Sequence, residues 1–408
     1  MNYKRITNCR ICGSKDLVPY IELPDSPLCN KLQDDKSDSE LYELKVLFCN
    51  NCYLSQLSIV VDPEVLYKES YPYHSSVSNT FKKHCFDMAM SLKKYKNKTD
   101  GNIILDIASN DNCLLKEFRN AGDYIVYGVE PSNSFKPDYS TDSYKDAIPV
   151  IHSFWSETCL DHTGLRNKID FITALNVLAH VDDLDEFMRG IVKYISEDGI
   201  FVVEVPYLPN LINNNEFDTI YHEHLSYFLL KPLKELFLNH RIPIFKVEKY
   251  PIHGGSIRIY ASKSYYEQDG SVSEMIFNEE SNGFYSIEKY KEFANRTLRV
   301  AADLQIIMNF IKSNNKKIMA YGASAKGISI INYLGIGKYI HSIVDDTPAK
   351  QGKITPGEKI QIVGFEYFEK EKPDYIILLA WNFAEEMMAK TKHIGSRYIV
   401  PIPVPTII

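Results

Sequence analysis

The chain has 408 residues, 45% of them apolar and 24% charged, the balance of a soluble globular protein with two or three cores. Its formal net charge of −7 argues against a general nucleic-acid binder, which would carry a basic excess. The N-terminal MNYKRITNCR is polar and the longest apolar runs, such as YIILLAW at 375–381, are strand-sized. Neither an export signal nor a membrane span is expected, and the protein reads as cytoplasmic.

Residues 1–70 are loop-rich, with prolines at 19, 24 and 27 and the polar run QDDKSDSE at 33–40. Two C-x-x-C pairs, Cys9/Cys12 and Cys49/Cys52, bracket this stretch. Such pairs can place four thiolates around one tetrahedral Zn²⁺, and Gly13 helps the first turn. Four thiolates fill the coordination sphere, so the metal would be structural. A redox dithiol would instead open a helix after a strand, and disulfides are disfavoured in the cytoplasm. So small a module benefits from a metal staple. Cys29, Cys85, Cys113 and Cys159 read as small buried hydrophobes.

LYELKVLFC at 41–49 alternates like a strand, and 79–96 has helical spacing, with Phe81, Cys85, Met88 and Leu92 on one face. Strands are then expected at 102–108, 124–131 and 199–206, with a strand running into a loop over 169–181, and helices at 114–122 and 182–196 between them. A second run begins with a helix at 300–314. Strand, glycine turn and helix follow at 316–334, and further strands at 339–346 and 374–381. Strands alternating with helices imply α/β folding with parallel, doubly wound sheets.

Four motifs carry chemistry. In I-L-D-I-A-S-N-D-N-C-L-L at 104–115, an acid ends a first strand before a small-residue loop and a helix. That is how a Rossmann-like methyltransferase holds S-adenosylmethionine (SAM), and Glu130, at the end of the next strand, can accept ribose hydroxyls. In Y-H-E-H-L-S-Y-F at 221–228, a neutral imidazole can take a proton next to a carbonyl while Tyr221 donates to the enolate. His222 and His224 would share a face on a strand, but no third metal ligand is near, and two ordinary histidines fit the residue types as well. Y-G-A-S-A-K-G at 321–327 resembles an anion site of helix amides plus a lysine, or a plain tight turn. I-H-G-G-S-I-R-I-Y at 252–260 offers His253 and Arg258.

In order, C-x-x-C pairs, YPYHSS, DIASND, VEPS, NVLAHV, YHEHLSYF, HGGSIR and YGASAKG resemble the SAM-dependent C-methyltransferases of nucleotide-linked ketodeoxysugars, over nearly the whole chain. The resemblance implies three parts: a zinc-binding module at 1–70, a Rossmann-like SAM-dependent methyltransferase domain at 71–250 and a C-terminal Rossmann-like α/β domain at 251–408. It implies SAM and structural Zn²⁺ as cofactors and a nucleotide-diphosphate sugar as partner, with no nucleic acid, no membrane and a monomeric state. By resemblance, His224 is the base, with Tyr221, Glu223, His180 and Asn176 beside it. Asp106, Ala108, Ser109, Asn110, Asp111, Glu130, Pro131 and Tyr73 are cofactor contacts. Tyr73, Ser75, His222, His253, Arg258, Ser324 and Lys326 are substrate contacts. Ala108 and Asn112 stand where the family has glycine. Asn tolerates left-handed backbone better than most residues, so the turn is expected to survive. The reaction expected is methyl transfer from SAM to C3 of a 4-keto sugar through an enolate. An epimerase using the same base, or a non-catalytic nucleotide-sugar-binding protein, are the alternatives.

Overall fold

The computed structural model describes residues 2–68, 74–95, 101–122, 124–135, 147–252 and 254–408. Tyr73, His253 and most of the 135–146 stretch lie outside the described residues. No helix among the described residues is long and apolar enough to cross a membrane.

The chain starts with strands β1 (Tyr3–Arg5), β2 (Leu17–Ser26), β3 (Tyr42–Cys49), β4 (Ser55–Leu57) and β5 (Ile59–Val61). β2, β3 and β4 form an antiparallel sheet, and β1 pairs with β5. The alternation read in the sequence buries Leu44, Val46 and Phe48 of β3.

The middle of the chain runs α1 (Asn79–Leu92), β6 (Asn102–Ile107), α2 (Cys113–Ala121), β7 (Tyr124–Val129), β8 (Val150–Ile151), β9 (Ile169–Leu175), α3 (Leu184–Tyr194), β10 (Ile195–Pro206), α4 (Leu208–Asn213), β11 (Ser226–Tyr227), α5 (Leu230–Asn239), β12 (Ile244–Tyr250) and β13 (Ser256–Ser262). Ser78 caps α1 by accepting from the Phe81 N–H. The sheet order is β12-β13-β10-β9-β6-β7-β8. β6 to β10 are parallel, while β13 is antiparallel to both its neighbours. β6 and β9 are buried on both faces, which is why they read as near-continuous apolar runs. The strand order reverses at β6, so a crevice opens at the C-terminal ends of β6 and β9.

The last part runs α6 (Ser271–Ser281), α7 (Ile287–Ser313), β14 (Ile318–Tyr321), α8 (Ala325–Leu334), β15 (Ile340–Val344), β16 (Ile362–Val363), α9 (Glu366–Glu371), β17 (Tyr375–Leu378), α10 (Ala384–Thr391), β18 (Arg397–Val400) and β19 (Thr406–Ile407). Its sheet order, β16-β15-β14-β17-β18-β19, reverses at β14 as the middle sheet reverses at β6.

Three features of the fold bear on the site. A boundary at 250/251 falls inside the β12–β13 hairpin, and the middle sheet continues to Ser262. The zinc module is not a separate core: Phe48 and Tyr20 pack on Tyr290 of α7, with ring centroids 4.7 and 5.0 Å apart. β11, from the histidine motif, extends the module's sheet by pairing with β4. The helix expected from 300 starts thirteen residues earlier, at Ile287, because Tyr290, Phe293 and Thr297 are buried against the rest of the fold.

Candidate active site

The two C-x-x-C turns share one geometry. Gly13 and Tyr53, each following the second cysteine, have φ of +70° and +69°. Each donates its N–H to the carbonyl of the first cysteine, at 3.0 and 2.9 Å. Glycine takes that backbone freely, whereas Tyr53 takes it because the turn requires it. The four sulfurs lie within 4.8 Å of one another. Cys9 and Cys52 Sγ are 3.4 Å apart, and Cys12 and Cys49 Sγ are 3.6 Å apart. A tetrahedron with Zn–S bonds of about 2.3 Å needs sulfur separations of about 3.8 Å, so this set fits zinc. The Cys9 thiol is pulled down to about 5, first by the hydrogen bond with Cys52 and further by the Cys12 and Ile11 amides, against the opposing effect of burial. The other end of that hydrogen bond holds Cys52 well up and burial raises Cys49, so binding of a metal to this set would release protons.

The second element is the loop after β6. Ala108, Asn110 and Asn112 have φ of +53°, +52° and +61°, so the left-handed turn survives without glycine, as expected. The Asn112 side chain is turned back against β7, where Gly128 leaves room for it. Glu130 reaches over the loop: its Oε2 accepts from Asn110 N–H at 2.9 Å and its Oε1 from Ser132 N–H at 2.8 Å, around Pro131. Asp106 is buried and takes the Thr173 hydroxyl at 2.6 Å, and burial pushes its carboxyl up to about 7. The backbone amides of Ser75 and Ser76 donate to Asn110 Oδ1 and Asp111 Oδ2 at 3.0 and 2.9 Å. Ser75, expected on the sugar side, thus sits on the cofactor loop. Ser109 Oγ, Asp111 Oδ1 and Asn176 Oδ1 are buried without a hydrogen-bond partner among the described residues. Unpaired acceptors around a crevice suit a ligand carrying an ammonium and a sulfonium.

Third, the YHEH motif is a tight turn rather than a strand, with His224 N–H bonded to Tyr221 C=O. The turn packs Tyr221 against His224, with ring centroids 4.2 Å apart and the planes tilted by 38°. His224 Nδ1 lies 2.8 Å from the Thr219 carbonyl, which can only accept, so Nδ1 carries the proton. Nε2 is then the lone-pair nitrogen, and the Tyr221 hydroxyl donates to it at 3.0 Å. The His180 ring packs edge-on at 4.9 Å, and its Nδ1 is 3.0 Å from Tyr67 Oη. Burial holds His180 down to about 4, hence neutral. Glu223 Oε1 accepts from Asn30 at 2.7 Å. Asn176 sits in left-handed backbone at φ +56° with its N–H on the Glu204 carbonyl. A cleft beside His224 is lined by Ala179, Tyr207, Glu216, Thr219 and Gly254. A side chain at Gly254 would collide with Glu216.

Comparison with known proteins settles what these parts make up. Three family profiles match in succession: a zinc binding domain over 9–67, a methyltransferase domain over 86–240 and a C-methyltransferase C-terminal domain over 251–403. The C-methyltransferase NovU of Streptomyces niveus is 34% identical over 412 residues, covering 99% of this chain and 97% of that protein. The chain belongs to the C-methyltransferase family. Among solved structures, geranyl diphosphate C-methyltransferase from Streptomyces coelicolor A3(2) is 11% identical over 46% of this chain and 83% of its own, with a TM-score of 0.35. A SAM-dependent methyltransferase from Aquifex aeolicus is 13% identical over 46% of this chain and 94% of its own, with a TM-score of 0.34.

As a C-methyltransferase the chain uses SAM, and Cys9, Cys12, Cys49 and Cys52 form its structural zinc site. Two residues expected to touch substrate have other partners. Arg258 is 1% exposed; it stands opposite Glu204 in the β10–β13 register and bonds that carboxylate, Tyr250 Oη and His84 Nε2 at 3.0–3.1 Å. His222 is 2% exposed, with Nε2 3.3 and 3.2 Å from the Tyr42 and Glu43 carbonyls at the start of β3, and burial lowers it to about 4. Both side chains therefore have their hydrogen bonds inside the fold. Lys326 does reach the cleft, where Nζ lies 3.4 Å from Glu216 Oε2, and Ser324 caps α8 by accepting from Gly327 N–H. Thr219, Tyr67, Asn30 and Glu216 escape a sequence reading, because each acts through a backbone carbonyl or a partner distant in the chain.

Proposed function

We propose that this C-methyltransferase methylates the carbon beside the ketone of a nucleotide-linked keto-deoxysugar, C3 of a 4-keto sugar, with His224 as the base. The observation that carries the reading is the His224 tautomer, with Nδ1–H held by the Thr219 carbonyl and the Nε2 lone pair facing Tyr221. When a ketone enters the cleft, its oxygen competes for the Tyr221 hydrogen. The hydroxyl turns from Nε2 to the carbonyl, which frees the lone pair and polarises the ketone in one movement. Nε2 then takes the proton from C3, and the electron pair of that C–H bond delocalises onto the carbonyl oxygen under the Tyr221 hydrogen bond. Bound SAM supplies an electrophilic methyl group, which the enolate carbon takes up. Neutral His180 beside His224 adds no positive charge that would oppose protonation of the base.

What supports a nucleotide on the substrate is the C-terminal sheet. Asp345, after β15, accepts from Ala323 N–H at 2.7 Å and from Thr347 N–H at 2.9 Å. This repeats the bonds of Glu130 to Asn110 and Ser132: a loop amide and the amide two residues on. We read this second loop as the diphosphate cradle, with the α8 amides behind Ser324 and with Lys326 exchanging Glu216 for phosphate. The test is deuterium wash-in at the carbon beside the ketone of such a nucleotide sugar, without methyl donor. Wild type should exchange, and His224→Asn should slow exchange and turnover together by about 10²–10⁴-fold. Unchanged exchange in His224→Asn would remove it as the base.

A further inference from the structure

One of the two residues between the first two zinc ligands reaches the segments that carry His180 and His224. Arg10 is part of the Cys9–Cys12 turn, yet its side chain is 3% exposed. Its Nη1 donates to the carbonyl of Leu225, the residue after His224, at 3.1 Å, and to that of Leu57 at 3.4 Å. Its Nε is 3.4 Å from Asp182 Oδ1, two residues beyond His180. Leu225 N–H in turn donates to the carbonyl of Ala179, the residue before His180, at 2.7 Å. The Arg10 backbone is held as well, its N–H donating to Gln56 Oε1 at 3.0 Å.

A guanidinium in this position needs an explanation. Burying a charge is costly unless it is paired and hydrogen-bonded, and a structural zinc turn has no need of an arginine inside it. Two anions offset this charge, the Asp182 carboxylate and the tetrathiolate centre. The planar fork spans two chain segments that lie 172 and 215 residues away in sequence.

We propose that Arg10 is a positioning residue. It fixes the His180 loop and the His224 turn relative to each other and to the zinc turn, so that the zinc module sets the geometry of the catalytic histidines as well as stapling the N-terminus. The inference rests on the reading of His224 as the base with His180 packed beside it.

The test uses the full-length zinc-loaded enzyme and three variants, Arg10→Met, Arg10→Lys and Lys4→Ala. Lys4 pairs with Asp182 from the surface and serves as control. In Arg10→Met, zinc should stay at about one per chain and KM for both substrates within about threefold of wild type. The kcat and the deuterium wash-in rate should fall together by 10-fold to about 100-fold, the loss that a misplacement of about 1 Å brings. Arg10→Lys keeps the charge and loses the fork, and should show a smaller loss of the same kind. It decides the matter if Arg10→Met does not fold. Lys4→Ala should match wild type. Long-range imidazole ¹H–¹⁵N spectra give a readout independent of substrate: the His224 and His180 signals should shift in the Arg10 variants. Unshifted signals with full kcat overturn the proposal. So does a kcat loss matched by an equal loss of SAM-binding sites, which marks a merely unfolded fraction. If instead wild type fails to exchange deuterium while the imidazole shifts occur, the substrate reading has failed and the positioning role stands.

Discussion

Replacing Glu130 by alanine removes one carboxylate that braces the loop after β6 and is proposed to hold the ribose. It is 5% exposed, and both its oxygens are engaged by loop amides, Asn110 at 2.9 Å and Ser132 at 2.8 Å. Each amide left without an acceptor costs about 1–3 kcal/mol, so the variant should lose about 2–6 kcal/mol of domain stability. The remaining lone pairs of the carboxylate are free for the ribose hydroxyls, and hydrogen bonds to a charged group contribute about 1.5–3 kcal/mol. That corresponds to S-adenosylhomocysteine affinity falling about 10- to 150-fold. Glutamine keeps one acceptor oxygen, so Glu130→Gln should recover part of both losses. It also removes the neighbouring charge that helps raise Asp106. Titration calorimetry gives the affinity, and thermal melting gives the stability. Equal affinity in wild type and Glu130→Ala would refute the assignment, and a melting loss without an affinity loss would leave Glu130 a loop brace alone.

Two further predictions concern the histidine and arginine that the fold claims for itself. Burial lowers His222 from 6.5 to about 4, so between those values the unfolded chain binds more protons than the folded one. Its contribution is therefore full above pH 6.5 and is lost as pH falls towards 4; urea melts across that window should show a shallower pH slope for His222→Gln than for wild type, and equal slopes would discount the burial argument. The Arg258–Glu204 pair is buried at both ends, so Arg258→Met alone should cost about 3–5 kcal/mol, whereas pairing it with Glu204→Leu should cost less than either change alone. KM for the proposed nucleotide-sugar substrate should stay unchanged in whatever fraction folds, and a KM rise without loss of melting temperature would return Arg258 to the substrate.

What the sequence could disclose follows from where each partner lies. The C-x-x-C turns are legible because both ligands and the turn that holds them lie within five residues, although the left-handed Tyr53 carries no composition signal. The places of Asp106 and Glu130 at strand ends are legible because strand, loop, helix and strand follow one another within thirty residues, and the asparagines at 110 and 112 supply much of the left-handed backbone that the loop needs. The misreadings have one physical origin. Arg258, a few residues after two glycines, reads as a substrate contact until the β10–β13 register sets it opposite Glu204, 54 residues away. His222 and His224 would share a face on a strand, but the hydrogen bond from His224 N–H to Tyr221 C=O closes a turn, sending one ring to the β3 carbonyls and the other to Thr219. Arg10 looks like a spacer between two ligands, and only tertiary structure brings it to Leu225 and Asp182. The same dependence explains why the histidines need the module at all. A turn of four residues can fix the tautomer of His224 through its own neighbours, but its distance from His180 is set by β11 pairing with β4 and by the bond from Leu225 to Ala179. For the proposed reaction, which needs a base, a ketone and a methyl group in line, that distance is a matter for the whole fold.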